Sequence, residues 1–197
     1  MLNLNDPVRF TVAEQAFINT TLKPLGKDGW DNNDPQTVAI KHHISEHTII
    51  AQGGRCAYCV NVLAKGDVAI EHIGPKKHYG MFTFEPYNLV SSCTSCNSPV
   101  NKGQSKTIVA PVDKNAYDAN RFTIVHPYFD NPDNHIKYKD DDRIFIDNHN
   151  CSPRGKETVR LFNWNDMWAV YKRAGIASMR HYPIDVLKLA AEISTYK

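Results

Sequence analysis

Two pairs of cysteines, Cys56-Ala-Tyr-Cys59 and Cys93-Thr-Ser-Cys96, constrain this chain more than any other feature. Four thiolates presented by two short knuckles suit a tetrahedral zinc ion closed to water, a structural centre rather than a catalytic one. The inner cysteines are separated by 33 residues, more than a compact zinc ribbon holds, so a whole subdomain must fold between the knuckles. The fifth cysteine, Cys151, stands apart and reads as an ordinary buried or loop thiol.

Paired Cys-x-x-Cys motifs are more often metal sites than disulfides in a cytosolic protein. Cytoplasm is the default expectation here, because no basic-then-apolar leader opens the chain and no apolar run approaches the roughly 20 residues of a membrane helix. A length of 197 residues allows one domain, or a small domain with a helical wrapping. The net charge is only +2, so a nucleic-acid partner would require the positive charge to be gathered locally.

Hydrophobic spacing and turn residues divide the chain into three expected parts. Residues 1–54 read as an N-terminal helical segment, with one helix from Thr11 to Asn19, capped by Thr11 and Glu14, and a second from Thr37 to Gln52 ended by Gly53-Gly54. Residues 55–106 hold the knuckles, a strand around Val68–Ile73, a loop from Lys76 to Tyr87, a second apolar run at Leu89-Val90, and a helix starting at Ser98-Pro99. Residues 107–197 form an irregular and then helical extension, with strand candidates at Phe122–Val125 and Arg143–Ile146 and helices at Thr158–Ala174 and Ile184–Tyr196. The class is α+β: a small hairpin-and-helix centre flanked by helices.

Between the knuckles, and just after them, lie Glu71-His72, Asn88-Leu89, Asn97 and Asn101-Lys102. Singly each is ordinary: a strand edge, a turn residue, a helix end. Together they supply what phosphodiester hydrolysis needs, a base to activate water and ligands for an ion that neutralises charge on the phosphate. A carboxylate with two amide oxygens suits Mg²⁺ or Mn²⁺, and an imidazole left off the metal suits a general base. Adjacent Glu71 and His72 point to opposite faces of a strand, so a kink before Gly74-Pro75 is needed to bring both to one centre.

In this order the residues resemble the HNH endonucleases, whose pattern is a Cys-x-x-Cys, an acid-His pair followed by Pro, an Asn-Leu in the second strand, and a second Cys-x-x-Cys followed by Asn or His and then Lys. Cys56–Cys59, Glu71-His72 with Pro75, Asn88-Leu89, and Cys93–Asn97 with Lys102 match it. The resemblance implies a ββα-metal core with a structural zinc. It makes Glu71 a ligand of a catalytic Mg²⁺ or Mn²⁺, His72 the general base and Asn88 a brace for the loop carrying that base. Asn97, Asn101 or both supply the last ligand position. Two departures stand out: the acid is Glu where Asp is commoner, and Lys102 follows Asn97 two residues later than in many relatives, with Pro99 between. A looser likeness, carried by Glu71 to Lys76 and by His126-Pro127-Tyr128-Phe129-Asp130-Asn131-Pro132, points to the HNH subunits of Septu-type anti-phage systems, which act beside an ATPase subunit.

Lys76, Lys77, Lys102 and Lys106 are the candidate phosphate contacts. Tyr79, Phe82 and Phe84 read as cover for the hairpin, and His42, His43 and His47 as structural or surface groups. The apolar residues of the C-terminal region (Leu161, Phe162, Trp164, Trp168, Tyr171, Ile176, Ile184, Leu187) read mostly as this chain's own core, with docking of an ATPase subunit as the alternative the resemblance raises. The expected function is a metal-dependent endonuclease acting on DNA. The rival is a non-catalytic treble-clef zinc module that binds nucleic acid or a protein.

Overall fold

The computed structural model describes residues 1–113 and 116–181. The expected helix Ile184–Tyr196 and the break at Pro183 lie outside them. In chain order the helices and strands are α1 (Val12–Phe17), α2 (Pro35–Ala51), β1 (Ala69–His72), β2 (Leu89–Ser92), α3 (Thr94–Asn97), α4 (Pro132–His135), α5 (Pro153–Leu161) and α6 (Met167–His181). The architecture is mixed helix with a two-stranded antiparallel sheet.

Each helix of the N-terminal layer starts where a side chain can take its free N–H groups. Thr11 and Glu14 form a reciprocal capping box at α1, which passes into a π turn at Ile18–Leu22. Asp34 accepts from the Gln36 N–H, with Pro35 in the first turn of α2. The buried face of α2 is Thr37, Ile40, Ile44 and Thr48. At its end, Gln52 pairs with Ser91 of β2 as a strand neighbour would: its Nε2 donates to the Ser91 carbonyl at 2.8 Å and its Oε1 accepts the Ser91 N–H at 2.8 Å. That clamp delivers the chain directly into the first knuckle.

The hairpin lies between two cores, which explains why all four residues of β2 are buried. The register pairs Ala69 with Ser92, Ile70 with Ser91, Glu71 with Val90 and His72 with Leu89. Residues directly opposite share a face. Leu89 therefore looks into the core built by Val8, Ile18, Leu22, Ile40, Ile44 and Phe84, while Val90 looks into the larger core holding the cysteines, Tyr58, Phe162 and Trp164.

Three expectations about elements are corrected. The helix after the second knuckle does not start at Ser98-Pro99: α3 precedes that point, because Cys93 caps it with a sulfur accepting from the Cys96 N–H, and Ser98 ends it. Phe122–Val125 and Arg143–Ile146 are not strands; they make single bridges, Ile108 with Phe122 and Tyr138 with Ile146. The backbone donors there have other acceptors, the Val125 N–H going to the Thr158 hydroxyl and the Ile144 and Phe145 N–H groups to Asp140, and Arg143 has a left-handed φ of 60°. Finally, the expected helix Thr158–Ala174 is two helices, α5 and α6, separated where Asn163 takes φ 50°, whereas Gly175 lies inside α6.

Candidate metal centre and catalytic site

The knuckles bring Cys56, Cys59, Cys93 and Cys96 together with all ligand atoms within 4.8 Å of one another, and all four are free thiols. Thiolates about 2.3 Å from a tetrahedral ion stand roughly 3.8 Å apart. The Cys59 and Cys93 sulfurs are 3.7 Å apart, far beyond a disulfide and close to that edge length. The donor set and its spacing fit zinc. Without a cation the four compete for protons: hydrogen bonds from Cys56 and the other thiols hold the Cys93 thiol far below its ordinary value, and the same contacts push Cys59 and Cys96 up. A bound zinc would stabilise all four thiolates at once.

Glu71 and His72 leave β1 on opposite sides, as strand geometry dictates, and no kink brings them to one centre. Glu71 is 4% exposed and forms an ion pair with Lys102, which is fully buried and also donates to the His72 carbonyl at 2.7 Å. Burial raises the Glu71 pKa, against the pull of the Lys102 ammonium. Lys102 is therefore the counter-charge of Glu71 and not a phosphate contact.

His72 turns toward the N-terminal layer. Its Nε2 lies 3.0 Å from the Thr83 carbonyl, and its ring meets the Trp30 indole edge-on at a centroid distance of 4.6 Å. A carbonyl only accepts, so Nε2 carries the proton and Nδ1 keeps a lone pair. Burial, aided by the Lys102 and Lys76 charges, lowers the His72 pKa to about 3.

The loop that His72 leads into is held by Asn88, which is fully buried. Its Oδ1 accepts from the Gly74 N–H at 2.6 Å, and its Nδ2 donates to the Gly74 carbonyl at 3.1 Å and the Phe82 carbonyl at 2.9 Å. Gly74 packs closely there: a Cβ would come within 2.9 Å of the end of the Ile108 side chain, which would have to shift. Phe82 and Phe84 are buried cover, and the Tyr79 hydroxyl donates to the Ile108 carbonyl at 2.9 Å.

A buried chain of hydrogen bonds that sequence reasoning missed continues outward from Asn88. The Tyr117 hydroxyl donates to Asn88 Oδ1 at 2.9 Å and lies 3.0 Å from His126 Nε2. Because His126 Nδ1 accepts the Tyr128 N–H, the Nε2 proton of His126 must point at Tyr117, which fixes every proton in the chain. The His126 N–H in turn donates to Asp130, which holds Arg154 at 2.8 Å. The only sequence signal was the His126–Pro132 stretch; nothing in it pointed to Tyr117.

The two candidate amide ligands fare differently. Asn101 Nδ2 donates to the Ser95 carbonyl at 2.7 Å, and its Oδ1 accepts from Asn163 at 2.9 Å. Asn97, the last residue of α3, has no side-chain hydrogen bond among the described residues. Glu71 is paired with Lys102 and Asn101 is engaged with Ser95 and Asn163, so two of the three expected hard-ion ligands already have partners. Among the described residues, the four cysteines are the group of His, Cys, Asp and Glu side chains placed to hold an ion. Of the remaining lysines, Lys76 pairs with Asp31 at 2.7 Å, while Lys77 and Lys106 are exposed. His43 and His47 tie α2 to Glu14 and to the Asp6 carbonyl, at 2.9 and 3.1 Å.

No family of known proteins matches this chain, and no curated protein matches it. Among the described residues, no helix is long and apolar enough to cross a membrane.

Proposed function

We propose that the chain is a nuclease of the HNH kind, hydrolysing phosphodiester bonds of DNA with His72 accepting the proton of the attacking water. The observation that carries this reading is the setting of His72: a single tautomer fixed by the Thr83 carbonyl, at the head of a loop that Asn88 holds at both ends. The neutral ring keeps a lone pair on Nδ1, the atom that can accept the proton. At neutral pH the ring is uncharged and free to take a proton. Its basicity in the empty pocket is low, but an approaching phosphodiester brings negative charge, which favours the imidazolium form. Exposed Lys77 and Lys106 are the phosphate contacts of this reading.

Activity that requires Mg²⁺ or Mn²⁺ demands that the ion take Glu71 from Lys102, with Asn97 the amide free to join it. By the same resemblance, the reading extends to an anti-phage role beside an ATPase subunit, tested by co-purification from the native host.

The buried Glu71–Lys102 pair favours a second reading, a non-catalytic zinc module that binds nucleic acid or a protein. Plasmid nicking with and without Mg²⁺ or Mn²⁺, on the wild type and on His72→Gln, separates the two. Gln keeps an N–H for the Thr83 carbonyl and removes the base. Loss of nicking with zinc content and melting temperature unchanged supports the nuclease; an inert wild type supports the module.

A further inference from the structure

A cavity of about 230 Å³ opens between the first knuckle and helix α6, on the cysteine side of the molecule. Its lining residues include Trp164 and Arg173, whose indole N–H and one terminal nitrogen are buried without a hydrogen-bond partner among the described residues. Tyr58 is fully buried and Trp164 is 5% exposed. They belong to one aromatic wall, Tyr58 packing on Phe162 at 4.4 Å and Phe162 stacking on Trp164 at 5.7 Å. Arg173 is anchored through Nε to the Ile144 carbonyl at 2.6 Å, and the Asp140 and Asp166 carboxylates lie near enough to act on its charge, while one terminal nitrogen has no hydrogen-bond partner. Buried polar groups in folded proteins are almost always paired, so two unpaired donors on the lining residues of one space point to acceptors still to be supplied.

The mouth of the cavity adds charge and a flat surface. Lys172 and Arg180 are exposed there, and Trp168 shows 68% of its surface to solvent. Two carboxylates also line the space, but Asp166 accepts the Ala169 N–H at the start of α6, and Asp142 has a partner of its own. Donors without acceptors call for anionic oxygens, and an exposed indole beside cations is a surface on which a planar base stacks.

We propose that this cavity binds one nucleotide unit, its phosphate taken by Arg173 with Lys172 and Arg180, and its base stacked on Trp168. The space holds a single unit and no duplex. The unit comes either as a free nucleotide or as one residue of a single strand. The site shares no residue with His72 and stands whether or not the chain cleaves DNA.

Isothermal titration of the full zinc-loaded chain tests it, with deoxyadenosine monophosphate, deoxyadenosine, inorganic phosphate and a nuclease-resistant phosphorothioate single strand as probes. The monophosphate should bind more tightly than either deoxyadenosine or phosphate alone. Trp168→Ala, a change at an exposed position, should weaken it by roughly tenfold or more, and Arg173→Met should weaken the monophosphate while leaving deoxyadenosine unchanged. Binding of the strand with the same dependence on Trp168 identifies nucleic acid as the source; binding of the monophosphate alone identifies a free nucleotide. No binding of either, phosphate binding as tightly as the monophosphate, or affinities indifferent to both substitutions in variants with wild-type melting, overturns the proposal.

Discussion

Lys102→Met isolates the most consequential contact in the molecule. Lys102 is fully buried, its ammonium lies against Glu71 and it donates to the His72 carbonyl. Met fills most of the same volume and removes the charge, leaving a buried carboxylate unpaired. Breaking a buried pair by deleting one partner costs about 3–5 kcal/mol. Losing the hydrogen bond to the His72 carbonyl adds on the order of 1 kcal/mol. At neutral pH the variant should therefore lose about 4–6 kcal/mol, read in urea as a fall in midpoint at constant slope. Part of the loss should return on acidification, since the carboxyl of Glu71 already has a raised pKa and takes up its proton more readily once Lys102 is gone. The double variant Glu71→Leu with Lys102→Met should recover most of the stability, because an apolar pair in that place is roughly neutral. A single variant that loses less than about 1 kcal/mol at neutral pH would refute the reasoning, as would a double variant no better than the single one.

Cys93→Ser should release the zinc and abolish cooperative unfolding, since zinc binding energy is folding energy in such a centre; metal analysis should find one ion per wild-type chain and none in the variant. Asn88→Ala removes the acceptor of Gly74 and Tyr117 and the donor to Gly74 and Phe82, and should cost roughly 3–5 kcal/mol, with His72-dependent nicking lost before the zinc is. Stability should also fall with acidification below the ordinary histidine range. His72 and His126 have folded pKa values of about 3, so their contribution is full above about 6.5 and is lost as the pH drops from there toward 3. The slope from these two groups is on the order of 2.7 kcal/mol per pH unit at its steepest, and replacing His126 by Gln should halve it.

The sequence located the four-cysteine cluster well because thiol spacing is a local property: each knuckle presents two sulfurs whatever surrounds it, and only one partner pair was present. The Asn88 brace was implied by the resemblance alone, and the structure shows its amide bonded to both the N–H and the carbonyl of Gly74. The faces of Glu71 and His72 were legible from strand parity, and the kink that was to override parity does not occur. Lys102 was misread because burial of a lysine depends on where the turns after α3 place it, under β1, and no local pattern encodes that. Asn101 was misjudged for a related reason: the helix expected to carry it ended earlier, at the cap supplied by Cys93, and its amide turned to Ser95 and Asn163 instead. Tyr117 reaches Asn88 from 29 residues away through an irregular segment, a contact set by tertiary packing alone.

The most direct test of the account is the nicking rate of His72→Gln against the wild type, with zinc content and thermal melting measured on the same preparations. The account predicts a wild type that nicks plasmid DNA and a variant slower by roughly 10²–10⁴-fold at unchanged zinc and near-unchanged melting temperature. A variant that cleaves within a few-fold of the wild type, or a folded, zinc-loaded wild type that does not cleave at all, would contradict it.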